Sequence, residues 1–180
     1  MTELDPRRAG APEHRVVYDV DTIAERVAGL AREVEACYGP EDRLLLLGVL
    51  KGSFVFMADF ARALDLPVQI DFMTVSSYGD GTESSGTVRV EGEPRLPLEG
   101  RNVLLVEDIV DSGITLEHVV ALLRERGART VEVVALLHKR LASPDPEPRF
   151  VGFDAPNTFL VGYGLDRAED FRHLPYIASL

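Results

Sequence analysis

The chain has 180 residues, 46% of them hydrophobic, with a single cysteine, so one core forms without metals or bridges and Cys37 has no intrachain partner, as fits a reducing compartment. Its 19 Lys and Arg against 30 Asp and Glu give a formal charge of −11, the wrong sign for a duplex-binding protein, which draws affinity from phosphate neutralisation, so no nucleic-acid partner is expected. No run reaches the roughly 18 apolar residues of a spanning helix, and "MTELDPRRAGAPEHR" lacks an apolar signal core, which leaves a cytoplasmic protein without membrane association as the expectation.

Residues 1–15 are polar and carry two prolines, an arm ahead of a single domain over 16–180. A helix is predicted over Thr22–Cys37, where Ile23, Val27, Leu30, Val34 and Cys37 alternate spacings of four and three. Thr22 and Glu25 form a capping box at its start, Gly39-Pro40 ends it, and Cys37 reads as a small buried apolar residue. "LLLLGVL", 44–50, is a continuous apolar run of the kind that forms a strand buried on both faces. A helix over about Ser53–Leu64 follows, then the strand "VQIDFMTVSSY", the glycine- and serine-rich stretch "GDGTESSG", and a short strand "TVRVEG". "NVLLVEDIV" is the next buried strand, a helix over Thr115–Arg126 stops at Gly127, and "VEVVALLHK" is a further strand. "LASPDPEPR", 141–149, is a proline-rich loop leading to "FLVGYGLD", the last clear strand.

Strand, helix, strand repeated in this way predicts an α/β fold, with a mostly parallel central sheet covered by helices on both faces. Ligands of such sheets bind beyond the carboxyl ends of the strands. That rule selects Leu50-Lys51, Tyr78 onward, Glu107 onward and Lys139 before any motif is considered.

"VLLVEDIVDSGIT", 103–115, carries the strongest chemical signal. Residues 111–115 fall at the turn into a helix, whose first amides point outward as an anion site. Gly113 permits close approach of a phosphate, while Ser112 and Thr115 supply hydroxyls, so no lysine is needed. The carboxylates are thereby free for other work. Glu107 and Asp108 point to opposite sides of the strand and suit ribose hydroxyls or a metal-bound water, and Asp111 is a candidate proton acceptor. An isolated Asp-Ser-Gly would read equally well as a capped helix start.

The full 13-residue run resembles the phosphoribosyl-diphosphate signature of the type I phosphoribosyltransferases. "GVLKGSFVFMADF", "DFMTVSSYGDGTESSG", "LLHK" and "VGFDAPNTFLVGYGLD" extend the similarity over roughly residues 15–180, toward the 6-oxopurine (hypoxanthine and guanine) members. The resemblance implies transfer of a 5-phosphoribosyl group from 5-phosphoribosyl 1-diphosphate to N9 of hypoxanthine or guanine, with Mg2+ as cofactor. It also implies a small hood built by terminal segments, to which 145–180 contributes at the purine, and a homodimer or homotetramer. Glu107, Asp108, Asp111, Ser112, Gly113, Ile114 and Thr115 match the phosphoribosyl-diphosphate site, Asp111 as the group that takes the purine N7 proton. Lys51 and Gly52 match the diphosphate loop, with a non-proline cis bond before Lys51, although Lys51 alone reads as a solvated turn lysine. Ser77 and Tyr78 match the working end of a lid whose remainder, through 86, otherwise reads as a surface hairpin. Lys139 matches the donor to the exocyclic purine oxygen, Phe159 the ring stacked on the base, and Leu160 and Asp166 the backbone contacts to its edge. Glu107, Asp108 and Asp166 match the metal-holding acids. Arg172 matches a diphosphate arginine, and by itself equally forms a surface salt bridge. His14, His118, His138 and His173 show no zinc spacing with Cys37 or one another. Two alternatives remain at this level: a nucleotide-sensing regulator on the same fold, or a phosphoribosyltransferase for xanthine or a pyrimidine.

Overall fold

The computed structural model describes residues 14–78, 87–141, 144 and 146–180; the predicted arm before His14 and the lid stretch 79–86 lie outside the described residues. In chain order the elements are β1 (Arg15–Tyr18), α1 (Val20–Glu35), a 3-10 turn (Pro40–Asp42), β2 (Leu45–Leu50), α2 (Phe54–Ala63), β3 (Gln69–Tyr78), β4 (Thr87–Gly92), β5 (Asn102–Val110), α3 (Ile114–Glu125), β6 (Thr130–His138), β7 (Phe150–Asp154), β8 (Leu160–Val161) and β9 (Ile177–Ser179). The main sheet has the order β4-β3-β2-β5-β6-β7, parallel throughout except for β4, which runs antiparallel to β3 at the edge.

Period-two alternation along the buried strands feeds two separate cores. Leu46, Leu104, Val106, Val134 and Leu136 pack against Ile23, Val27, Leu30 and Val34 of α1 and Phe56, Met57 and Phe60 of α2. Their neighbours Leu45, Leu47, Val103, Leu105, Val133 and Ala135 pack on the other face against Leu116, Val119, Val120 and Leu123 of α3. The helices therefore cover both faces, and the strand ends that carry the predicted site emerge along one edge.

A second, three-stranded antiparallel sheet, β1-β9-β8, forms the hood. Its own small core holds Val161, Leu174, Tyr176 and Ala178. Tyr163 anchors it to the main body by donating to Asp59 Oδ2 at 2.6 Å.

Three details differ from the sequence-based expectation. Helix α1 starts at Val20, capped by Asp19, whose carboxylate accepts from the Thr22 amide at 2.8 Å, so Thr22 sits in the first turn and forms no capping box with Glu25. An ionised Asp at this position satisfies the same orphan donor and adds a favourable dipole interaction. The helix also stops at Glu35, which puts Cys37 past the apolar stripe: it is exposed, with Arg149 Nη2 at 3.2 Å from its sulfur. "FLVGYGLD" contributes only the two-residue β8, because Gly162 (φ 95°), Tyr163 (φ 51°) and Gly164 (φ 100°) turn the chain through left-handed conformations. The final strands are instead β7 and β9, too short to stand out in the sequence pattern.

Candidate active site

The loop after β5 and the start of α3 enclose a concave site of about 210 Å³, lined by Glu107, Asp108, Ile109, Val110, Asp111, Ser112, Gly113, Thr115 and Leu116. Gly113 is the residue before the helix and has φ 80°. A β-carbon there would lie 2.5 Å from the Pro144 ring, so both backbone and space require glycine. Because the first helical amides have no intrahelical acceptor, this turn presents donors to an anion, beside the Ser112 and Thr115 hydroxyls.

Glu107 is 7% exposed although it carries an ionisable group. Burial, with the Asp108 charge beside it, holds its carboxyl well above the usual range. Burial likewise lifts Asp108 to about 6; the Asp166 charge adds to this, while the Ile109 amide and the Arg172 guanidinium oppose it. The cause is visible in the packing: a β-carbon on Gly52 would fall 1.7 Å from Asp108 Oδ2, so the carboxylate lies directly against the Lys51-Gly52 loop. That loop begins with a cis peptide bond between Leu50 and Lys51, as the motif implied. Gly164 closes the stack, since its own β-carbon would meet the Gly52 carbonyl at 2.2 Å. Three chain segments thus converge on one acid.

A raised pKa has a definite sign for stability. The folded chain holds the Asp108 proton more tightly than the unfolded chain, so stability falls as pH rises from about 4 to 6, and the cost persists above. Asp108→Asn is therefore expected to raise the melting temperature at pH 8 by several degrees, corresponding to at most about 3 kcal/mol, while abolishing most activity. Thermal melts at pH 8 and pH 4 check this: the gain should vanish at the lower pH.

The remaining predicted residues fall into two groups. Lys139, immediately after β6, donates to Asp111 Oδ2 at 2.8 Å, so the proposed purine donor and proton acceptor are already partners. Lys51 and Arg172 lie on the other side, joined through Glu169, and Arg172 also pairs with Asp166 at 2.8 Å and donates to the Gly164 carbonyl at 2.8 Å. Phe159, 55% exposed, and the buried Leu160 belong to the hood. Ser77 and Tyr78 end β3 and pair in register with Val88 and Thr87. No group of three or more metal-ligating side chains occurs among the described residues. His118 is exposed on α3, whereas His138 is fully buried in β6. Sequence reasoning missed Glu169; its only signal was the run of alternating charge in "DRAEDFR".

Residues 17–168 match the model of the phosphoribosyl transferase domain, and the chain belongs to that family. Among its relatives, the hypoxanthine-guanine phosphoribosyltransferase of Dictyostelium discoideum is 44% identical over 92% of this chain and 94% of its own length. The Bacillus subtilis protein of the same name is 44% identical over 92% of each chain. The crystal structure of a hypoxanthine phosphoribosyltransferase from Staphylococcus aureus superposes with a TM-score of 0.87 at 38% identity, covering 92% of this chain and 90% of that one.

Proposed function

We propose that the protein is a purine salvage enzyme that transfers the 5-phosphoribosyl group from 5-phosphoribosyl 1-diphosphate to N9 of hypoxanthine or guanine, releasing diphosphate. The observation that carries this reading is the amide-lined turn at 112–115 set directly beside the buried Glu107, the half-buried Asp108 and the Asp111–Lys139 pair. The relatives' names point the same way.

In this reading the 5-phosphate rests on the amides of residues 112–115 with the Ser112 and Thr115 hydroxyls. Glu107 and Asp108 accept from the ribose hydroxyls, and their charge favours a sugar that becomes cationic at C1 in the transition state. Purine binding breaks the Asp111–Lys139 pair: Lys139 donates to the exocyclic oxygen, and Asp111 receives the proton from N7. An amino group in place of that oxygen would set donor against donor, so adenine is rejected. Phe159 stacks on the base, backbone groups of Leu160 and Asp166 meet its edge, and Lys51, Gly52 and Arg172 receive the diphosphate. Ser77 and Tyr78 close over the centre, excluding water that would otherwise capture the sugar cation.

The donor set fits Mg2+. This ion commonly uses one or two carboxylates and completes its shell with water and substrate oxygens, so the acids lining the site suit it, with any further acid reached through water. Glu107, Asp108 and Asp166 would hold it, directly or through water, and the bound ion would supply positive charge that neutralises the departing diphosphate.

We extend the proposal to one catalytic unit over 16–180, with 145–180 closing over the purine, and to a cytoplasmic location. No helix among the described residues is long and apolar enough to cross a membrane. Phe54, Ile70 and Phe72 remain exposed on α2 and β3, an apolar surface suited to a second copy in a homodimer or homotetramer, which sedimentation would reveal.

Incubation with 5-phosphoribosyl 1-diphosphate, magnesium and each of hypoxanthine, guanine, xanthine and adenine tests the central reaction. Nucleotide and diphosphate should appear in equal amounts with one or both of the first two bases; formation from neither contradicts the proposal. Lys139→Ala should raise KM for the oxopurine by about 10- to 100-fold, from loss of a hydrogen bond to a charged donor, and leave that for 5-phosphoribosyl 1-diphosphate nearly unchanged. Equal increases in both would remove Lys139 from the purine site.

A further inference from the structure

We propose that Glu169 is a built-in competitor for diphosphate, occupying the anion position between Lys51 and Arg172 until the substrate displaces it. The inference rests on the reading above, in which those two cations receive diphosphate, and adds a residue that neither the motif nor the relatives assign.

Lys51 lies just after β2, whereas Arg172 belongs to the hood, and a single oxygen connects them. Glu169 Oε2 lies 3.0 Å from Lys51 Nζ and 3.5 Å from Arg172 Nη2. An oxyanion placed between two converging cations is the geometry expected of a bound diphosphate oxygen. Arg172 is otherwise fixed by Asp166 and the Gly164 carbonyl, and its buried Nε has no hydrogen-bond partner among the described residues. The cation is thus held in place with donor capacity left over.

The backbone beneath Glu169 is held out of its preferred conformations. Ala168, Glu169 and Phe171 have φ of 52°, 70° and 76°, three left-handed non-glycine residues within four positions. Such residues persist where surrounding contacts enforce them and are concentrated in functional segments. Here the Glu169 amide donates to Asp166 Oδ2 at 2.8 Å, and Arg167 and Asp170 exchange backbone hydrogen bonds. This local frame turns the Glu169 carboxylate toward Lys51.

The contact is suited to being replaced. The Lys51 and Glu169 side chains are 64% and 65% exposed, and an exposed pair of this kind is weak. A diphosphate carries more charge and more acceptor oxygens, so it takes the position, at the cost of displacing Glu169. The consequence is selective: affinity falls by a common factor for every ligand that brings a diphosphate, including both 5-phosphoribosyl 1-diphosphate and the product diphosphate. Ribose 5-phosphate, which has no diphosphate, is unaffected. Weaker retention of the product hastens its release.

Calorimetric titration of magnesium diphosphate, 5-phosphoribosyl 1-diphosphate and ribose 5-phosphate into wild type, Glu169→Gln, Lys51→Ala and the double variant tests this. Glu169→Gln should tighten diphosphate about two- to fivefold, leave ribose 5-phosphate unchanged, and lose its effect in the Lys51→Ala background. Unchanged or weaker diphosphate binding, or an equal gain without Lys51, overturns the proposal. A wild-type protein that binds neither diphosphate nor 5-phosphoribosyl 1-diphosphate would instead overturn the underlying reading, and the competition with it. Wild type that binds both, with Glu169→Gln indistinguishable from it, removes the competition alone.

Discussion

Replacing Asp111 with asparagine is expected to lower kcat by a factor of about 10² to 10⁴, the loss that its proposed role as proton acceptor implies. The substitution keeps the size of the side chain and one acceptor oxygen, so the loop 111–115 and its phosphate cradle stay in place. Two effects then separate. Lys139 loses its anionic partner at 2.8 Å and is freer to meet a purine oxygen, so KM for the base does not rise and falls slightly. The chemical step is expected to slow, because in the proposed reaction the N7 proton then has no basic acceptor. Turnover close to wild type would show that the proton leaves by another route, and steady-state kinetics in hypoxanthine at saturating 5-phosphoribosyl 1-diphosphate reads both quantities.

The second large effect comes from a position with no reactive group. Gly52→Ala places a β-carbon 1.7 Å from Asp108 Oδ2, and the obstacle is a half-buried side chain lying against the loop. Either Asp108 swings off the sugar side or the Lys51-Gly52 loop lifts, and the second choice meets Gly164, whose α-carbon is packed on the Gly52 carbonyl. A displacement of about 1 Å in a group that orients substrate costs on the order of 10² in rate, so kcat/KM should fall about 100-fold or more. Overpacking also destabilises, by about 1 to 3 kcal/mol. Measuring kcat/KM together with the melting temperature tests the claim: a variant with wild-type kinetics would mean that the close contact between Gly52 and Asp108 does not hold the acid in its working position.

These two residues illustrate which parts of the site are legible in a sequence. Asp111 belongs to a contiguous run in which strand, acids, turn and helix start each have a local signature, and apolar runs and helical spacing located β2, β3, β5, β6, α1, α2 and α3 to within a few residues. Gly52 was legible as part of a motif, but its physical role was not, because its need for empty space is created by Asp108, 56 positions later. Glu169 is harder still. It contacts Lys51 across 118 positions, and nothing local distinguishes its carboxylate from a solvated one. Cys37 completed an apolar spacing that the helix abandons two residues earlier, and Asp19 outcompeted Thr22 as cap by a hydrogen bond that no periodicity records. The hood strands β1, β8 and β9 are two to four residues long and acquire their identity only by pairing with one another.

The site pairs its charged groups within the chain. Asp111 neutralises Lys139, while Glu169 and Asp166 neutralise Lys51 and Arg172. Glu107 and Asp108, by contrast, form no ion pair among the described residues, and desolvation raises their proton affinity, the Arg172 guanidinium opposing the rise at Asp108 only in part. Each substrate group therefore has a defined counterpart to displace or to satisfy.

A crystal structure of the protein with magnesium and 5-phosphoribosyl 1-diphosphate tests this most directly. The 5-phosphate is expected within about 3 Å of the amides of residues 112–115, with Glu107 and Asp108 at the ribose hydroxyls. A sugar phosphate seated elsewhere, with both acids turned away from the ribose, would contradict it.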